Sequence, residues 1–240
     1  MCTNYTPTAR VRLKAMQMGV EHLPVSDWPP EIFPGYEAPI IVAAGQNGAQ
    51  CLLAKFGLMP RWSKDAKHAT ELARGTYNSR SETAAIKPSF RSPWRESQFA
   101  LAPMENFYEP CWETGQAVRW AVSRADGEPF AVAALWERWT DPDGGEIVHS
   151  FSLLTVNADG HPLMGRLHRP GDEKRMPVIV SPEHYGDWLH AKPNAAMAWM
   201  QTTAAEQLQG EAAPRASLRK ARPKPTPAPS APEDLNLSLF

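Results

Sequence analysis

Phe130-Ala131-Val132-Ala133-Ala134-Leu135-Trp136 is seven residues without a charge, a run too short for a buried helix and rich enough in aromatic and branched side chains for a strand covered on both faces. Phe151-Ser152-Leu153-Leu154-Thr155-Val156 has the same character, so both runs are expected as central strands. Working outward, Val118, Trp120 and Val122 alternate with Arg119, Ala121 and Ser123, the period of a half-buried antiparallel strand. Gln98-Phe99-Ala100-Leu101-Ala102 and Met176-Pro177-Val178-Ile179-Val180 add two more. Ile40-Ile41-Val42-Ala43-Ala44 and Cys51-Leu52-Leu53-Ala54 flank Gln46-Asn47-Gly48, a hairpin signal. Five prolines between Leu23 and Pro39 keep that stretch irregular, and Phe56 to Trp62 reads as a loop.

Helices are few. Residues 1–20 read as a strand or loop followed by a short helix. Thr76 to Ile86 reads as a turn entering a helix, with Asn78 or Ser79 as its cap and Glu82 in the first turn. Ser181-Pro182-Glu183 places a cap, a proline and an acid ahead of a helix over 182–190, and an Ala-rich helix is expected over 194–209. The fold class is therefore α+β and β-dominated: coiled antiparallel sheets in a barrel-like core, with peripheral helices. The domain is expected to span 1–210. From 211 to 240 a Pro, Ala and Lys-rich tail cannot bury a core and reads as disordered.

Nothing in the 240 residues approaches an ~18-residue apolar span, and no apolar core follows the first residues, which places the protein in the cytoplasm and away from membranes. Cys2, Cys51 and Cys111 are odd in number and widely spaced, which fits a reducing compartment. No metal site is expected, because the histidine pairs lack ligand spacing. Net charge is −1, yet residues 61–95 carry +5 and the remainder −6. Trp62, Tyr77, Phe90 and Trp94 are interleaved with those cations, a mixture that suits single-stranded nucleic acid and equally a solvated face over core aromatics.

Chemistry enters at Met1-Cys2-Thr3-Asn4. With Met1 removed, Cys2 would carry a free amine beside its thiol, and a 1,2-aminothiol captures an aldehyde first as a Schiff base and then as a five-membered thiazolidine. Three other places hold reactive polar residues amid apolar or turn sequence. They are Asn78 in Tyr77-Asn78-Ser79-Arg80-Ser81-Glu82, Glu109 in Asn106-Phe107-Tyr108-Glu109, and His168 ahead of Arg175-Met176-Pro177.

In that order the four residues, with the Asn-x-Arg-x-Glu and His…Arg-Met-Pro elements in register, resemble the SRAP family, the SOS-response-associated peptidases, from Cys2 to about Leu189. The resemblance implies abasic-site processing: autocatalytic removal of Met1, then capture of the ring-opened aldehyde in single-stranded DNA as a thiazolidine cross-link. Cys2 would be the double nucleophile, Asn78 would hold its amine and the sugar, and Glu109 and His168 would move protons. Arg80, Trp62, Arg61, Glu82, Pro39 and Arg175 would meet the DNA. No cofactor is implied, and the protein is expected to be a monomer at the nucleoid.

Departures from the family pattern are Thr3 and Asn4 in place of Gly-Arg, Pro110 in place of an aromatic, for which Trp112 or Trp120 could substitute, and an inserted Pro170-Gly171-Asp172-Glu173-Lys174. Competing classes are an N-terminal-nucleophile peptidase or amidase using the same four residues, and a noncatalytic single-strand binding module. At the far end Asn236-Leu237-Ser238-Leu239-Phe240 resembles the clamp-binding peptide of bacterial replication proteins, with Asn for Gln, which makes a sliding clamp a candidate partner.

Overall fold

The computed structural model describes residues 2–215. Its strands are β1 (Asn4–Pro7), β2 (Glu37–Ala44), β3 (Gly48–Phe56), β4 (Asn78–Arg80), β5 (Phe99–Cys111), β6 (Val118–Arg124), β7 (Phe130–Thr140), β8 (Ile147–Asn157), β9 (Arg175–Pro177), β10 (Ile179–Val180) and β11 (Leu208–Ala212). Six short helices lie around them: α1 (Arg10–Ala15), α2 (Ala66–Ala73), α3 (Ser81–Ala84), α4 (Arg91–Arg95), α5 (Tyr185–Leu189) and α6 (Pro193–Ala196). The β-dominated, barrel-like architecture read from the sequence is the one observed.

The barrel is a closed ring of five strands in the order β7, β8, β3, β2, β5 and back to β7. Leu101 pairs with Ile41 on one side and with Ala133 on the other, and Phe151 pairs with Trp136 and with Phe56. Only β3 with β8 is parallel within the ring. Closure leaves no free edge among these strands, and the inward side chains fill the interior as in other small barrels. The two runs that looked central are central: Phe130 to Leu135 and Phe151 are fully buried, with Phe56 stacked on Phe151 at 5.2 Å. Trp188 of α5 packs on Phe99 at 4.7 Å and donates its indole N–H to the Ala100 carbonyl at 2.8 Å. At the exit of β3, Gly57 sits at φ +119°, and a Cβ there would lie 2.5 Å from the Ala73 carbonyl oxygen, so no other residue fits the corner.

Several local expectations are corrected. Asn78 and Ser79 are not caps: they form β4, which pairs in parallel with β8, and the helix that follows is the single turn α3. β5 does not stop near Ala102 but runs 13 residues, carrying Glu109 inside the strand opposite Trp120. The run at 176–180 is broken at Val178, whose N–H bonds Leu154 of β8 while its carbonyl accepts from Ala133 of β7, so the segment changes partners mid-way. The helix over 182–190 is a 3₁₀ turn followed by α5, and Ser181 makes no side-chain cap. Most different is 194–209: α6 is followed by two 3₁₀ turns, Met197–Trp199 and Ala205–Gln207, and the chain ends as β11 on the edge of β6. Helix propensity loses there to an unpaired strand edge, which supplies five register partners and a buried Leu208. β11 also carries the fold past residue 210, and Ala213 donates to the Arg119 carbonyl beyond it. The rest of the expected tail, with its clamp-like motif Asn236–Phe240, lies outside the described residues. No helix among them is long and apolar enough to cross a membrane.

Candidate active site

Four elements deliver the four reactive residues to one place. β1 pairs antiparallel with the distal half of β5, Asn4 opposite Tyr108, which carries Cys2 alongside Glu109. Asn78 comes from β4, anchored by its register with Leu153. Its amide nitrogen donates to the Cys2 carbonyl at 2.7 Å, across 76 residues of sequence. His168 stands on the loop after the Cys111–Leu167 bridge, where its N–H donates to the Pro110 carbonyl at 2.7 Å. Its Nε2 lies 3.2 Å from Glu109 Oε2, and both side chains are almost completely buried.

His168 is held in an unfavourable conformation, φ +65°, which a non-glycine residue adopts only when its surroundings impose it. Lys174 is the restraint. Its ammonium donates to the carbonyls of Leu167, His168 and Arg169 at 2.8, 3.3 and 3.1 Å, tying the loop into a closed turn. The inserted segment that looked like a departure from the family thus carries the staple for the histidine.

Cys2 is fully buried. Burial pushes its thiol far above the ordinary range, the Glu109 carboxylate adds to the effect, and backbone contacts with Asn4 and Tyr108 oppose it. At neutral pH the sulfur therefore carries its proton. Cys51 and Cys111 are also free and buried. Among the described residues no group of three or more His, Cys, Asp and Glu is placed to hold a metal ion.

Of the six residues expected to meet DNA, three come together: Arg80 and Arg175 share Glu173, and Arg175 also grips Glu82. Trp62 is exposed, with its indole N–H on the Pro88 carbonyl at 3.2 Å. Arg80 is half-exposed and pairs with Glu173 at 2.8 Å. Arg61 is spread over Glu137 at 2.8 and 3.0 Å, Glu96 at 2.8 Å and Gln98. Arg175 is buried, forked onto both oxygens of Glu82 at 2.9 Å and also bonded to Glu173 and the Thr155 carbonyl. Its guanidinium pKa is raised: burial works against the charge, but the hydrogen bonds it donates to both carboxylates outweigh it. Pro39 is buried on β2 opposite Leu53. Of the interleaved aromatics, Phe90 and Trp94 are core.

Sequence reading missed Glu31, Phe33, Arg119, Lys174 and Arg215. Arg119 gave only the signal of an outward position on an alternating strand, and the others gave none, because each matters through a partner far along the chain.

A family model described as "SOS response associated peptidase (SRAP)" matches residues 1–215. The chain is 28% identical over 198 residues to the abasic site processing protein YoqW of Bacillus subtilis, covering 80% of this chain and 81% of that one. It is 29% identical over 157 residues to the abasic site processing protein YoaM of the same organism, 63% of each. A crystal structure of a protein from Bordetella bronchiseptica superposes with a TM-score of 0.81 at 32% identity, over 88% of this chain and 99% of that one.

Proposed function

The chain belongs to the SRAP family, and from that premise we propose that it processes abasic sites in single-stranded DNA by trapping the ring-opened aldehyde on Cys2. The observation that carries this reading is the convergence of Cys2, Asn78, Glu109 and His168 from four separate elements onto the first residues of the chain.

Met1 must leave first, since an acylated nitrogen cannot condense with an aldehyde. The Cys2 sulfur attacks the Met1 carbonyl, the amide nitrogen departs with the thiol proton, and water then hydrolyses the thioester to free methionine. That peptidase step leaves an amine of reference pKa about 8 beside a thiol. The amine adds to the aldehyde carbon of the opened sugar, and the carbinol loses one water to give the imine, with Glu109 donating a proton to the departing hydroxyl. Sulfur then bonds to the same carbon while the C=N pair collapses onto nitrogen, which takes up the thiol proton. Because the thiolate is the attacking form, the thiol gives up its proton to that nitrogen as the C–S bond forms. Asn78 fixes the Cys2 carbonyl so that amine and thiol stay aimed at one point. His168, 3.2 Å from Glu109, exchanges protons with it between steps.

Intact mass after incubation with an abasic single-stranded oligonucleotide tests the whole scheme. The expected adduct is the chain without methionine, plus the oligonucleotide, minus one water, and Cys2→Ala forms none. An adduct that retains Met1, or one that survives Cys2→Ala, overturns it.

A further inference from the structure

Two guanidiniums are aimed at one carboxylate oxygen beside Glu109. Glu31 Oε1 accepts from Arg119 Nη2 at 2.5 Å and from Arg215 Nη2 at 3.0 Å, and the Asn4 amide nitrogen closes on the same atom. Each guanidinium also lies on a ring: Arg119 Cζ is 3.3 Å from the Tyr108 centroid and Arg215 Cζ is 4.9 Å from that of Phe33. An arginine whose π face lies on an aromatic presents its N–H donors in the plane, where the flat pair of oxygens in a carboxylate or a phosphodiester matches them; Arg119 spends Nη2 on Glu31 and Nη1 on the Ala213 carbonyl at 3.1 Å. Both cations share this one carboxylate, and Glu109 is a second acid on the cavity they line. Arg119 Nε is in addition buried without a hydrogen-bond partner. With Asn4, Tyr108 and Glu109, these rings and guanidiniums line a cavity of about 660 Å³ that reaches the candidate active site.

We propose that this cavity is a backbone-phosphate subsite for the single strand, in which Arg119 and Arg215 hold a phosphate next to the lesion and Glu31 occupies the donors until DNA arrives. The proposal rests on the reading of the protein as one that acts on abasic single-stranded DNA. Glu31 is then a competitor as well as an organiser: it keeps the two cations pre-positioned, and yields one guanidinium edge when a phosphate enters. Asn4 contributes a neutral donor to the same anion.

Binding is measured with a single-stranded oligonucleotide carrying a tetrahydrofuran abasic analogue, which has no aldehyde and so reports affinity without chemistry, over a series of salt concentrations. Glu31→Gln keeps the acceptor and removes the charge, and is expected to bind about fivefold tighter at low salt, the size of one charge contact near a surface. Arg215→Ala is expected to weaken binding by about fivefold and to lower the slope of log K against log salt by ~0.7, one single-strand phosphate contact. Arg119→Leu should do the same; if it fails to fold, the exposed Arg215 still decides. No gain in Glu31→Gln, or an unchanged salt slope in Arg215→Ala, overturns the subsite. Wild-type protein is run beside these with a true abasic oligonucleotide: loss of cross-linking there would sink the function proposed above, whereas intact cross-linking with unmoved affinities would sink the subsite alone.

Discussion

The cations of residues 61–95 with Arg175, and the pair Arg119 and Arg215, are opposites in the sequence and opposites again, inverted, in the structure. The first region carries an excess of five positive charges in the sequence, yet Arg61, Arg80 and Arg175 are met by Glu82, Glu96, Glu137 and Glu173, four carboxylates for three guanidiniums. In the second region Arg119 stands in no basic run, yet it shares one carboxylate with Arg215. Of the four acids in the first region only Glu82 belongs to the basic block. Net charge counted along a chain therefore says little about where an anion will sit, because potential falls with distance through space and strand pairing decides those distances.

The comparison breaks most sharply at Arg61. Glu137 is 1% exposed and depends on that guanidinium, so Arg61→Ala should cost about 3 kcal/mol, the scale for stranding one partner of a buried pair. Denaturant midpoints should show it, and adding Glu137→Met should recover much of the loss. The oligonucleotide affinity of the folded variant should stay nearly unchanged. An Arg61→Ala protein of normal stability with tenfold weaker binding would make the first region a DNA surface after all.

A smaller effect is expected at Lys174, between Glu173 and Arg175. Lys174→Met should release the His168 loop from its strained φ and slow cross-linking by about tenfold, the order expected when a proton carrier is misplaced. Binding of the tetrahydrofuran oligonucleotide should not move, and Lys174→Arg should restore part of the rate. Equal losses of rate and affinity would make Lys174 a DNA contact instead of a positioning residue.

The smallest effect is acid sensitivity. Glu82 is pushed up by burial, but its hydrogen bonds with Arg175 win and hold it below its ordinary 4.5; the same guanidinium lowers Glu173. A carboxyl depressed in the folded state contributes stability above its unfolded value and loses that contribution as pH falls through the folded one. Urea midpoints should therefore drop below about pH 4.5, and less steeply in Glu82→Gln. Both side chains are partly solvated, so the difference is modest. Parallel pH curves for the two proteins would show that the ion pair contributes nothing to folding.

Strand identity was legible wherever apolar runs or alternation were strong, as at Phe130–Trp136, Val118–Ser123 and the 40–54 hairpin. The four candidate residues Cys2, Asn78, Glu109 and His168 also stand out from their local sequence. Their roles were less so. Asn78 has the sequence context of a helix cap, and only the parallel pairing of β4 with β8 turns it toward Cys2. The Ala-rich 194–209 segment looked helical because propensity is local, and an open strand edge on β6 claimed its end.

By itself, then, the sequence determined which segments would be buried strands and which side chains had chemistry to offer, because periodicity and residue type are properties of near neighbours. Tertiary structure alone decided ring closure, the meeting of Glu109 with His168, the neutralising of Arg61 and Arg175, and the sharing of Glu31 by Arg119 and Arg215. Each of these is a contact between residues dozens of positions apart, and a hydrogen bond or ion pair depends on ångström distances that no local pattern encodes.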